Sequence, residues 1–142
     1  MNKRLISFLV IVSILVTTLS MPNVMAESRA SNYISSCYAS VAPGSSSGEL
    51  VIAYRVTAAV TGVTRIGALV IYAYRTDGSI ARMVAGNTSN GMMKTTGRVV
   101  SGTYRIIVDP GETYYCKITF IVENSNGNTV RDYTTNTVVA PI

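Results

Sequence analysis

The stretch Thr113-Tyr114-Tyr115-Cys116-Lys117-Ile118-Thr119-Phe120-Ile121-Val122-Glu123-Asn124 decides the fold. Tyr114, Cys116, Ile118, Phe120 and Val122 fall on one side of it, and Tyr115, Lys117, Thr119 and Glu123 on the other, with Ile121 the exception. A period of two with one apolar side is a β-strand with one face on a core. Downstream, Ser125-Asn126-Gly127-Asn128 reads as a turn and Thr129 to Val139 as a returning, edge-like strand. Upstream, Arg98 to Val108 reads as a strand bent near Gly102. Arg65 to Arg75 is apolar on both faces and so predicts a central strand, with Tyr72 and Tyr74 on the packed side of Ile66 and Val70. The Asp77-Gly78 step then predicts a tight hairpin into a short strand, Ile80 to Ala85. Leu50, Ile52, Tyr54, Val56 and Ala58 alternate with Arg55 and Thr57 in a further strand that starts at Glu49. The expected fold is all-β, an antiparallel β-sandwich of about six to eight short strands.

The segment Asp109-Pro110-Gly111-Glu112-Thr113-Tyr114-Tyr115-Cys116 resembles the start of the penultimate strand in immunoglobulin-like and fibronectin type III-like sandwiches. The resemblance implies a tyrosine corner at Tyr114, two residues before the cysteine, with its hydroxyl bonded back to the preceding turn. It departs from the antibody pattern, since the chain has no Trp and its other cysteine, Cys37, precedes the strand that would carry it. The nearer resemblance is to small immunoglobulin-like modules of secreted and surface proteins of bacteria, which implies a binding or spacing role and names no ligand.

At the amino terminus, Lys3 and Arg4 precede a mainly apolar run from Leu5 to Leu19, then Met21-Pro22 and the small-residue end Val24-Met25-Ala26. This predicts a signal-peptide helix over residues 1–26 with cleavage after Ala26, and a single domain over residues 27–142. The alternative is an uncleaved membrane anchor, but fifteen helical residues rise only ~22 Å against a hydrocarbon core of ~30 Å. The expected address is secreted or extracellular, with no stable membrane insertion after cleavage. Past Ala26 there are ten basic and seven acidic residues, a net charge of +3 against +5 for the whole chain. Those cations are scattered rather than clustered, so nucleic acid is not an expected partner.

An exported chain with two cysteines meets an oxidising compartment, and parity points Cys37 (with Ala39 and Val41) and Cys116 (with Ile118 and Phe120) toward a core. A Cys37–Cys116 disulfide is the expectation, and two free buried thiols the alternative. In the chain-entropy picture such a loop of about eighty residues would contribute ~4 to 5 kcal/mol at most.

The chain has no His, which removes Ser-His-Asp and Cys-His catalysis and His-based zinc sites. Asp109 and Glu112 are the closest carboxylate pair, but a Pro-Gly turn offers no cleft to raise the pKa of an acid catalyst. No Asp-rich calcium loop is present. The expectation is no catalytic residue, no metal and no cofactor. Lys117 points away from the core by parity and Lys94 lies in a loop, which argues against an internal Lys–Asn cross-link.

The longest irregular stretch runs from Gly86 to Gly97 and holds Asn87 (in the triplet Asn87-Thr88-Ser89), Met92, Met93 and Lys94. Loops at the end of a rigid sandwich are where binding modules place specificity, and adjacent Met side chains adapt to apolar partners. The simpler reading is that Met92 and Met93 plug the end of the core. Tyr38 and Tyr115 fall opposite the cysteines, on outward faces. These features predict a non-catalytic binding or adhesion module for an unknown protein or glycan. The alternative is a small diffusible effector, such as a bacteriocin-like toxin or an enzyme inhibitor.

Overall fold

The structure is a computed structural model that describes residues 32–142, within a compact unit spanning Ser31–Ile142. The expected signal peptide, with its expected helix and cleavage point, lies outside the described residues. Eight strands form: β1 (Ile34–Pro43), β2 (Glu49–Ala58), β3 (Val63–Arg75), β4 (Ile80–Ala85), β5 (Met93–Lys94), β6 (Val99–Ile107), β7 (Thr113–Asn124) and β8 (Gly127–Val139). They make two antiparallel sheets, one ordered β1-β2-β6 and one ordered β4-β3-β7-β8, with β5 added to β3. No helix occurs among the described residues.

Strands β2, β3, β4, β6, β7 and β8 form where the sequence predicts strands, whereas β5 falls in the stretch expected to be irregular, because Met93 and Lys94, the latter expected in a loop, pair with β3. Leu50, Ile52 and Val56 of the first sheet and Ile66, Ile71, Tyr114, Ile118 and Phe120 of the second meet in one buried cluster. The β7–β8 turn is tighter than the expected four residues, since Asn124 already pairs with Gly127. The Asn124 carboxamide accepts the Asn126 N–H at 2.9 Å, so the side chain supplies a closing bond the shorter turn needs.

The central strand β3 departs most from its expected register. Along β7 its partners skip Thr64 and then Leu69, so two bulges each leave one residue unpaired. A bulge reverses parity beyond it. Ile66 and Ala68 face the core before the second bulge, and Ile71 and Ala73 after it. Tyr72 and Tyr74 therefore lie opposite that inward row rather than beside Ile66. Tyr74 stacks on Tyr115 with ring centroids 5.3 Å apart, and Tyr72 lies 5.9 Å from Tyr74.

β1 and β8, the outer strands of the two sheets, are joined by side chains. Asn136 accepts the Val41 N–H at 3.2 Å and donates to the Val41 carbonyl at 3.0 Å. Thr129 accepts the Tyr33 N–H, and Arg131 donates to the Ile34 carbonyl. Tyr38 meets Tyr133 edge-to-face at 5.7 Å. A carboxamide thus stands in for the backbone of a missing neighbour, which removes an open sheet edge on this flank.

The expected disulfide is not formed, and Cys37 and Cys116 are both free. Strand parity selects the face on which a sulfur lies but not its position along that face. A bridge further requires Cβ atoms about 3.5 to 4.5 Å apart. Cys116 is fully buried in β7 opposite Ala73, whereas Cys37 is half-buried on β1 opposite Val56. Burial pushes the Cys116 thiol up to about 12, so it is a poor nucleophile at neutral pH.

Candidate functional site

The segment between β4 and β6 is held against β3 by backbone bonds at both ends. Gly86 N–H donates to the Leu69 carbonyl and Ala68 N–H to the Met92 carbonyl, each at 2.9 Å. Between these anchors, Asn87 and Asn90 accept each other's N–H groups through their side chains, at 2.8 and 3.1 Å. Asn90 also donates to the Ala85 carbonyl and accepts the Met92 N–H. Asparagine favours such local bonds over regular structure, so a stretch with no strand period is still ordered. Gly67, with φ +147°, is required by this docking, because a Cβ there would run into the Met92 carbonyl and the Met93 Cα.

The docked segment and β3 enclose an open hollow of about 270 Å³. Leu69 and Met93 give its apolar lining, half-buried and buried respectively. Thr64, Asn87, Thr88 and Thr95 add hydroxyl and amide groups, and Arg65 and Lys94 add positive charge. The two residues that the bulges leave over, Thr64 and Leu69, both line it. Re-aiming a side chain toward a site is a common consequence of a bulge. Arg65 is held by Glu123 at 3.0 Å, while Lys94 has no ion-pair partner among the described residues.

Of the four residues singled out in the segment, Asn87, Met93 and Lys94 converge on the hollow. Met92 does not, being fully buried as part of the core. The plug reading therefore describes Met92, and the contact reading describes the surface beside Met93. The contribution of Leu69 has no mark in the sequence, since a bulge in the continuously apolar run Ala68 to Ile71 shows no break, whereas the first bulge is marked by two successive polar residues, Thr64 and Arg65, between Val63 and Ile66.

The carboxylates occupy other places. Asp109 holds Arg75 at 2.8 Å on the surface, and that hydrogen bond raises the guanidinium's pKa. Lys117 bonds Asp132 at 2.8 Å, which raises the lysine and lowers the aspartate. Glu49 accepts from Arg105 and from the Ser45 and Ser46 N–H groups, and these bonds, Arg105 foremost, hold its carboxyl below the usual range. Each of these acids has a structural partner. No group of three or more metal-binding side chains occurs among the described residues. The Tyr114 hydroxyl donates to the Asp109 carbonyl at 3.0 Å, which ties β7 to the turn before it.

Compared with known proteins, the chain matches no family model and no curated protein.

Proposed function

We propose that this chain is an exported, non-catalytic binding module built on an immunoglobulin-like β-sandwich, which contacts a protein or glycan through the hollow beside Met93 and Lys94. The observation that carries the reading is the construction of that hollow. Two bulges in a central strand and a loop tied by its own asparagines create a concave surface on the sheet. Bulges interrupt pairing and a docked loop costs conformational entropy, so a hollow of this kind is an expense that a plain spacer would not carry.

The immunoglobulin-like part of the reading is supported by the strand order β1-β2-β6 and β4-β3-β7-β8 and by the Tyr114–Asp109 bond at the start of the penultimate strand. Export is supported by the charged, apolar and small-residue order of residues 1–26. Mass spectrometry of the chain recovered from culture medium should find an amino terminus at Glu27, and retention of residues 1–26 there would refute the cleavage.

The test of function is equilibrium binding of the purified protein to a panel of glycans and cell-surface proteins, with Thr88→Trp to fill the hollow. Thr88 is exposed, so the bulk enters without disturbing the core. Thr76→Trp, in the β3–β4 turn, serves as the control. Saturable binding lost only in Thr88→Trp supports the module. Binding that Thr88→Trp leaves intact, or none across the panel, sinks it.

A further inference from the structure

We infer that the hollow takes the carboxylate-bearing ring of an acidic sugar, a uronic or sialic acid within a glycan. This rests on the binding-module reading above and specifies its ligand.

The sign of the charge follows from where the pairs lie. At the hollow, Arg65 is paired with Glu123 and Lys94 has no ion-pair partner among the described residues, a net +1 that attracts an anion. Lys94 is the cation there that lines the hollow without an ion-pair partner among the described residues, so an incoming carboxylate breaks no internal bridge.

The class of anion follows from the remaining lining. Threonine hydroxyls both donate and accept, and Asn87 keeps its Nδ2 donor because Oδ1 already accepts the Asn90 N–H. A polyol offers both kinds of group in return. A fully ionised phosphate offers acceptors alone and would leave the exposed threonine acceptors to water. Leu69 and Met93 suit the C–H face of a sugar ring. The volume of about 270 Å³ falls just under the usual range for drug-sized ligands, about 300 to 1,000 Å³, and so favours one ring over a folded segment of a partner protein.

Calorimetric titration of the purified protein with trigalacturonate and with its carboxyl-reduced, neutral form tests this directly, using Lys94→Gln and the more distant charge change Arg82→Gln. The acidic trimer should bind about tenfold more tightly than the neutral one, and the preference should shrink as salt rises. Lys94→Gln should abolish the preference and Arg82→Gln should keep it. Equal affinity for the two trimers, a preference that survives in Lys94→Gln, or equal binding of pentaglutamate would overturn the inference. If the panel yields a Thr88→Trp-sensitive ligand but neither trigalacturonate nor sialyllactose binds, this inference falls and the module reading stands. If no Thr88→Trp-sensitive ligand exists, both fall.

Discussion

Replacing Gly67 by Ala separates the cost of a left-handed backbone from the cost of undocking the β4–β6 segment. Gly67 has φ +147° and Gly91 has φ +76°, so a Cβ strains the backbone at either position. At Gly91 the new methyl meets nothing within 4 Å, and the expected loss is about 1 kcal/mol. At Gly67 it would stand on the backbone of Met92 and Met93, which cannot rotate away as a flexible side chain can. The segment must lift, breaking the Ala68–Met92 hydrogen bond and opening the site of the fully buried Met92. Backbone strain of ~1 to 3 kcal/mol, about 1 for the bond and up to ~2 for a partly exposed Met side chain give an expected loss of about 2 to 6 kcal/mol. That is a large share of the 5 to 15 kcal/mol typical of a domain. Urea unfolding of the wild type, Gly91→Ala and Gly67→Ala reads this as midpoint shifts at constant slope. Equal shifts for the two variants would refute the docking argument, because the collision with Met92 and Met93 that only Gly67→Ala introduces would then cost nothing.

Three further outcomes are expected. Tyr114→Phe keeps the buried ring and removes the hydroxyl bonded to Asp109, so it should cost about 1 kcal/mol and lower Tm by about 4 °C; an unchanged Tm would show that the bond contributes nothing. Thiol titration of unfolded protein without reductant should find two thiols, and native protein should leave Cys116 unreacted; no free thiol after unfolding would mean that the cysteines are bridged. Glu49 has a depressed folded-state pKa, so its contribution is present above the ordinary glutamate value of about 4.3 and is lost as pH falls through the lower folded value; Glu49→Gln should flatten the acid limb of the stability curve, and an unchanged limb would refute the role given to Arg105 and the Ser45 N–H.

The strands that alternate cleanly were legible in the sequence. Leu50, Ile52, Tyr54, Val56 and Ala58 all face inward in β2, as do Tyr114, Cys116, Ile118, Phe120 and Val122 in β7. The register of β3 was not, for a physical reason. Ala68-Leu69-Val70-Ile71 is apolar at every position, so nothing marks the residue at which the strand gains a bulge and changes face. Unbroken alternation from Ile66 would put Tyr72 and Tyr74 on the packed side, and the bulge at Leu69 turns them away from it. The same silence hid the contribution of Leu69 to the hollow, whereas the bulge at Thr64 falls where two polar residues in a row interrupt the alternation. The part from the β4–β6 segment was visible as a polar, irregular run, although parity could not separate Met92 in the core from Met93 beside the hollow. The cysteines show the limit in another form: alternation reports direction, and a covalent bond requires position.

The side-chain clasp between β1 and β8 has a mechanical consequence. Tyr33 meets Thr129 and Val41 meets Asn136, so both strands ascend in the same direction and lie parallel. A tether pulling on the start of β1 and the end of β8 would slide the strands lengthwise past one another. It would load the contacts at Thr129, Arg131 and Asn136 together in shear instead of peeling them one at a time. Placed in series between two anchors, the domain would resist extension along its own strands far better than a pull that opens this flank sideways, a contrast that single-molecule pulling along the two directions would measure.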